Sequence, residues 1–126
     1  MKWIFTLAFF FVTLQARADY TGRIITDEGT IGIKLYSSTP NTTLNFMQLA
    51  LGKKRYVNLD GSRSTKPFYN GLIFHRVHPD LGIFSGCPWG NGRGWPGFFT
   101  ADEIAKDSHF DRPGLIAMAK LPGDNK

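Results

Sequence analysis

Between Gly82 and Gly97 the sequence places six glycines, two prolines and two tryptophans within sixteen residues, a composition that suits neither a helix nor a long strand. Glycine loses backbone entropy in either element, and proline withholds a donor. The stretch therefore reads as a long structured loop after a short strand around Ile83 to Cys87. Regular structure has to come from the residues on either side. A chain of 126 residues that is 42% hydrophobic and 20% charged can supply one globular domain and no more. Cys87 is the single cysteine, which excludes an internal disulfide and a Cys-rich zinc site, so stability rests on an apolar core.

Aromatic residues crowd the N-terminus, where four of the eleven phenylalanines fall in the first eleven residues. Lys2 supplies a positive start, ten of the twelve residues from Trp3 to Leu14 are apolar, and Ala16-Arg17-Ala18 has the small-x-small form of a cleavage site. Residues 1–18 are expected to be a signal peptide cut before Asp19, with residues 19–126 exported to a periplasm or secreted. The apolar run is shorter than the roughly 17 to 25 residues of a spanning helix, so no stable membrane insertion is expected after cleavage. Removal of Lys2 and Arg17 lowers the formal charge of +5 by two. Most of the remaining excess lies in residues 52–66, where Lys53, Lys54, Arg55, Arg63 and Lys66 face only Asp60. This is expected to be a solvated loop. No aromatic-interleaved basic stripe supports nucleic-acid binding, and no nucleic-acid partner is expected.

Tyr20 to Thr26, a turn at Asp27-Glu28-Gly29, and Thr30 to Leu35 with Ile31, Ile33 and Leu35 on one face predict a hairpin. Thr39 before Pro40 predicts a helix N-cap with proline in the first turn. Leu44, Phe46, Met47, Ala50 and Leu51 then recur at helical steps until Gly52. Asn41-Thr42-Thr43 matches a glycosylation acceptor, but it lies in that helix's first turn. Leu72 to Val77 predicts a strand that sends Phe74 and Arg76 to one face and His75 and Val77 to the other. Leu115 to Lys120 is the last strand-like run. Strands with one helix predict a mainly β fold, a barrel or sandwich with a helix across an open end.

Several motifs fail on context. Gly92-Arg93-Gly94-Trp95-Pro96-Gly97 fits G-x-G-x-x-G but opens no periodic helix and lacks an acid about 20 positions on. His75 and His78 would face opposite ways on a strand, and together with Cys87 and His109 they show no metal-ligand spacing, so no metal site is expected. Cys87 as a nucleophile would need a positioned base, and a small buried residue is the simpler reading.

One set of blocks does not fail. Phe68-Tyr69-Asn70-Gly71-Leu72-Ile73-Phe74-His75-Arg76-Val77, then the run from Gly86 to Gly97, then Asp102-Glu103, then Gly114-Leu115-Ile116-Ala117-Met118-Ala119 resembles, in order and spacing, the cyclophilin family of peptidyl-prolyl cis/trans isomerases. The likeness covers nearly all of residues 19–126. It implies an antiparallel β-barrel capped by helices, with a shallow apolar pocket for proline on its outer surface. It further implies a monomer that acts on proline-containing polypeptides with no cofactor and no metal. Arg76 matches the family's catalytic arginine. Phe74, Leu81, Phe84, Gly92, Ala119 and Lys120 stand at substrate-binding positions.

The sequence departs from the family in two places. The family usually runs Phe-Met-x-Gln-Gly-Gly where this chain has Leu81-Gly82-Ile83-Phe84-Ser85-Gly86, so Gly82 removes a methionine side chain and Phe84 replaces a glutamine. Lys120 stands where asparagine is common. These changes keep a second expectation open, a proline-binding module or chaperone with little catalysis. Family members also continue beyond the segment matching Leu121 to Lys126 into further strands, so the resemblance implies a barrel incomplete at its C-terminus, marginally stable and weakly active or inactive alone.

Overall fold

In the computed structural model, which describes residues 19–106 and 108–120, the chain divides between Ser37 and Ser38 into two units. Residues 1–18, where a signal peptide is expected, lie outside the described residues. The described elements are mainly strands with one helix.

The first unit contains β1 (Tyr20–Thr26) and β2 (Gly29–Leu35), paired antiparallel from Tyr20↔Leu35 to Thr26↔Gly29. Opposed residues share a face, so Tyr20, Gly22 and Ile24 meet Leu35, Ile33 and Ile31, which is the face that the alternation predicts. Ile33 covers Gly22 so closely that a Cβ there would lie 3.3 Å from its Cγ1. At the open end, Asp19 holds both chains: its carboxylate accepts the Ser37 N–H at 3.0 Å and pairs with the Lys34 ammonium at 2.8 Å. Lys34, followed by the Ser37 N–H, pulls the Asp19 pKa down to about 2.

The second unit starts with α1 (Pro40–Ala50) and continues through β3 (Tyr56–Val57), β4 (Arg63–Ser64), β5 (Arg76–His78) and β6 (Gly82–Phe84). Among the described residues β3 pairs only with β4 and β5 only with β6, both antiparallel, and no pairing closes these hairpins into a barrel.

The sequence places both ends of α1 correctly, but only one by the expected device. At the C-terminus, Gly52 has φ +67, its N–H donates to the Leu49 carbonyl, and the Lys53 N–H donates to the Gln48 carbonyl at 2.7 Å. This is the glycine-terminated cap in which a left-handed residue satisfies the last carbonyls. At the N-terminus, the Thr39 side chain makes no capping hydrogen bond. Glu103 takes its place. One carboxylate oxygen accepts the Asn41 N–H and side-chain amide at 3.2 and 3.1 Å, and the other accepts the Thr42 N–H at 2.8 Å.

The buried stripe of α1 also differs from the expected one. Leu44 and Leu51 are more than half exposed, whereas Thr43, Asn45 and Leu49 are buried. Leu49, 1% exposed, packs in the core with Phe68, whose N–H donates to the Leu49 carbonyl at 2.9 Å. Tyr56 and Tyr69 flank Phe68 edge-on at 4.8 and 5.1 Å, and Phe46 lies 4.9 Å from Tyr69. Burial pushes the Tyr69 phenol up to about 12. The polar Asn45 is tolerated inside because Lys54 donates to its Oδ1 at 2.6 Å. That ammonium also sits 4.2 Å from the Phe98 ring centroid.

Three further expectations change. Residues 52–66 are not wholly a solvated loop: they hold the β3–β4 hairpin, with Asp60 accepting the Ser62 N–H and hydroxyl in its turn, and Lys54 faces inward. The strand predicted from Leu72 begins only at Arg76. Before it, Gly71 turns the chain at φ +75, and residues 73–75 are held by glycine contacts and single hydrogen bonds rather than a ladder. Leu115 to Lys120 is irregular, with Ile116 and Met118 exposed, because among the described residues no strand pairs with it and a lone strand has no ladder to sustain it.

Capping by Glu103 predicts a pH dependence. The Thr42 N–H, then the Asn41 groups, hold its pKa below the ordinary value against a smaller effect of burial. A depressed carboxylate contributes stability above its unfolded pKa of about 4.3 and loses it as pH falls through the folded value. Glu103→Gln should lower the thermal midpoint at pH 7, with the gap to the unmodified chain narrowing as the pH is lowered from 7 toward 3 in melts followed by circular dichroism. A gap unchanged between those pH values would reject the cap.

Candidate functional site

The tight hairpin β5–β6 carries the residues that the sequence singles out. Three residues pair on each side, Arg76↔Phe84, Val77↔Ile83 and His78↔Gly82. The turn is closed by the Leu81 N–H donating to the His78 carbonyl at 3.1 Å. Gly82 has φ +148, a backbone conformation open to glycine and strained for other residues. Gly82 thus supplies the backbone freedom that the start of β6 requires.

Opposite residues of an antiparallel pair project to the same face, and Arg76 uses this placement. Its guanidinium carbon lies 5.4 Å from the Phe84 ring centroid, a cation over an aromatic face. Arg76 is exposed, and no carboxylate lies within ion-pair distance of it among the described residues. A surface ion pair, the ordinary role for such an arginine, is therefore not its role here. The Phe84 ring steadies one face of the guanidinium, and the planar edge that carries the N–H donors remains available to a carbonyl or amide.

The segment before Arg76 is fixed from behind. The His75 N–H donates to the Phe84 carbonyl at 3.0 Å, and the Ser85 hydroxyl donates to the Ile73 carbonyl at 3.0 Å. The glycine-rich loop supports the same segment through close approaches. A Cβ on Gly90 would lie 3.3 Å from Ile73, and one on Gly92 3.2 Å from His75 Nε2. His75 Nδ1 is buried without a hydrogen-bond partner. Within the loop, Cys87 is buried, and its sulfur accepts the Gly94 N–H at 3.1 Å. Burial pushes the thiol up, but N–H groups of the loop, from Asn91 and Gly94 foremost, outweigh it and the net shift is downward. Cys87 is the small buried residue that the sequence reading favours, and it organises the loop.

The other sequence-derived positions are dispersed. Phe74, just ahead of β5, is partly exposed, and Leu81 is exposed at the hairpin turn. Gly92 contacts the site through His75. Ala119 is exposed in irregular chain, and Lys120 is paired with Asp102. No hydrogen bond, ion pair or ring contact among the described residues joins Ala119 or Lys120 to the β5–β6 hairpin. The structure thus brings together Arg76 and Phe84, with Gly92 behind them. Ser85 escaped the sequence reading because its bond to Ile73 depends on a register that only the folded hairpin reveals.

Comparison with known proteins agrees with these blocks. The family model described as cyclophilin type peptidyl-prolyl cis-trans isomerase/CLD matches residues 21–126. The chain is 41% identical over 118 residues to the probable peptidyl-prolyl cis-trans isomerase A of Mycobacterium leprae, covering 91% of this chain and 65% of that protein. It is 43% identical over 103 residues to peptidyl-prolyl cis-trans isomerase B of Streptomyces anulatus, covering 79% and 59%. Against peptidyl-prolyl cis-trans isomerase B of Bacillus subtilis the identity is 34% over 106 residues, covering 82% and 64%. The chain thus spans less than two thirds of the length of these relatives. No solved structure matches.

The glycine support yields a test. Gly92 has φ +81 with His75 immediately above it, so Gly92→Ala should cost about 1 to 3 kcal/mol, the usual range for a residue held in a sparsely populated conformation. Urea unfolding measures it, and an unchanged midpoint would show that the loop does not bear on His75.

Proposed function

Because the chain belongs to the cyclophilin-type peptidyl-prolyl cis-trans isomerase family, we propose that it catalyses rotation about Xaa-Pro peptide bonds of polypeptides, with Arg76 as the catalytic residue. The observation that carries this reading is the Arg76 guanidinium, unpaired by any carboxylate among the described residues and laid over the Phe84 ring. An amide resists rotation by about 18 to 20 kcal/mol because the nitrogen lone pair is delocalised into the carbonyl. Xaa-Pro isomerisation without a catalyst accordingly takes tens to hundreds of seconds. As the bond twists, the prolyl nitrogen becomes pyramidal and its lone pair localises. A guanidinium N–H donated to that lone pair stabilises the twisted state more than the planar one, which is the condition for catalysis. Arginine suits the task because it stays charged at any working pH and offers several donors in one plane.

A single charge-assisted hydrogen bond contributes about 1.5 to 3 kcal/mol, whereas a 10⁵-fold acceleration needs roughly 7 kcal/mol. Phe84, Phe74 and Leu81 therefore have to contribute by holding the proline and excluding water, with Gly92 at the rim. The same family membership supports reading the hairpins and α1 as parts of an antiparallel barrel with a capping helix, and the substrates as proline-containing segments bound by a monomer. Lys2, the apolar run and Ala16-Arg17-Ala18 support export to a periplasm or secretion. N-terminal sequencing of the exported chain should begin at Asp19, and an intact Met1 on exported material would reject cleavage.

Arg76→Ala should reduce isomerisation of a short Xaa-Pro peptide by about 10² to 10³, as removal of one transition-state donor does elsewhere. A loss below threefold would reject the assigned role. Phe84 in place of glutamine favours the second reading, binding with little catalysis. Peptide affinity that survives Arg76→Ala, without isomerisation in either form, would establish that reading.

A further inference from the structure

A half-open cavity of about 430 Å³ lies beside the β3–β4 hairpin, and none of its lining residues belongs to the Arg76 site. Val57, Leu59, Pro67, Phe68, Leu72 and Pro88 give it an apolar wall. Leu59 stands at the hairpin turn with 64% of its surface exposed, so part of this wall is hydrocarbon still open to solvent. A volume in this range accommodates one small organic ligand.

The walls are braced without a ligand. Phe68, 5% exposed, is held edge-on by Tyr56 and Tyr69 and by its N–H bond to the Leu49 carbonyl. At the turn, the Asn58 N–H donates to the Ser62 carbonyl at 2.7 Å, the Asn58 carbonyl accepts the Gly61 N–H at 3.1 Å, and the Asn58 amide donates to Ser62 Oγ at 2.9 Å. The Lys66 N–H donates to Ser64 Oγ at 3.1 Å, which fixes the backbone that carries the Lys66 side chain to the cavity. A preformed site of this kind imposes little ordering cost on binding.

The charge at the cavity has one sign. Lys66 is its one ionised lining residue, and the ammonium has no ion-pair partner among the described residues. Lys53, Arg55 and Arg63 of the same segment are exposed and equally unpaired. Asp60, the only acid from Gly52 to Lys66, is turned to the Ser62 N–H and hydroxyl and is not part of the wall. The Asn70 amide, also on the wall, has no hydrogen-bond partner among the described residues. A ligand that covers the apolar wall therefore meets an uncompensated positive charge and a free amide.

We propose that this cavity binds a small free monocarboxylate with a hydrocarbon body, its carboxylate on the Lys66 ammonium and its body covering Leu59 and Leu72. One ammonium answers one negative charge, so a monoanion fits better than a phosphate dianion. An amine fits less well still, because no acid lines the wall. A polypeptide C-terminus is disfavoured for a different reason. Asn58 spends its N–H, its carbonyl and its amide nitrogen within the turn, so it offers little to a peptide backbone, whereas a hydrocarbon body needs no hydrogen-bond partner. The apolar wall supplies most of the affinity and the ammonium supplies the selectivity, since an exposed ion pair contributes little by itself. The site stands on the cavity and its charge and does not depend on the isomerase reading.

The test uses the full chain and sodium octanoate, with octanol and octylammonium chloride as probes of the same length, followed by calorimetry and by methyl shifts in two-dimensional NMR. Octanoate should bind saturably and more tightly than octylammonium, with the shifts concentrated at Val57, Leu59 and Leu72. Lys66→Met should weaken octanoate about fivefold and leave octanol unchanged, whereas Lys66→Arg should retain octanoate. Leu59→Asp should weaken octanoate and octanol at least about tenfold, as loss of a covered leucine does. Leu59→Met, which keeps an apolar side chain at this exposed turn, should hold the affinity and guards against a folding defect. Arg76→Ala should leave octanoate binding intact, which separates the cavity from a carboxylate caught by Arg76. Octylammonium bound as tightly as octanoate, octanoate binding that ignores Lys66→Met, or binding lost with Arg76 instead would overturn the site. So would the lack of saturable octanoate binding, or Lys66-dependent binding of acetyl-Gly-Gly-Leu or of phosphatidylglycerol vesicles in place of octanoate.

Discussion

The Phe68 N–H donates to the Leu49 carbonyl at the end of α1, while the two side chains are buried together. That contact ties the last turn of the helix to the chain entering the Arg76 segment, nineteen residues later. A buried leucine contributes about 1.5 to 3 kcal/mol relative to an exposed one, and the hydrogen bond removes a polar group that would otherwise be buried at a cost. Tyr56, Tyr69 and Phe46 close around the pair. Tyr69 is then followed at once by the Gly71 turn and the approach to β5. The position of Arg76 is set from this aromatic knot rather than by a long strand leading into it.

Charged groups act as braces around the knot. Glu103 gathers the free N–H groups at the start of α1, and Lys54 satisfies Asn45 while lying against Phe98. Both ends of α1 are therefore tied to residues 98–103. A carboxylate at a helix N-terminus is favoured by the aligned peptide dipoles as well as by hydrogen bonds. The glycine-rich loop complements this with close contact, since Gly90, Gly92, Gly94 and Gly97 each admit a side chain or ring where a Cβ would intrude.

What the sequence discloses depends on how local the deciding interaction is. The β1–β2 hairpin and the limits of α1 follow from alternation, from Pro40 and from Gly52, whose effects act within a few residues. Glu103 as the helix cap is not legible, because it arrives from 61 and 62 residues away and leaves no spacing signal near Thr39. The helix face misleads for a related reason: Asn45 is buried only because Lys54 reaches it, so polarity alone assigns it to the wrong side. Leu72 to Val77 has the composition of a strand, yet its backbone is claimed by glycine contacts and by Ser85 before Arg76. Arg76 itself is singled out by its motif. Its stacking on Phe84 required the β5–β6 register, which the sequence does not print.

The clasp at Asp19 gains another meaning if the chain is cut in front of it. Asp19 would then carry a free α-ammonium within a residue's length of the Lys34 ammonium and its own carboxylate. The carboxylate, already held at about 2, would serve two cations and the Ser37 N–H at once. Processing would thereby convert an interior position of the chain into a charged terminus pinned to the end of its own hairpin. Tying down a terminus in this way suppresses the fraying that exposes chain ends to exopeptidases. The residue that marks the cleavage boundary in the sequence would then also be the one that protects the new end.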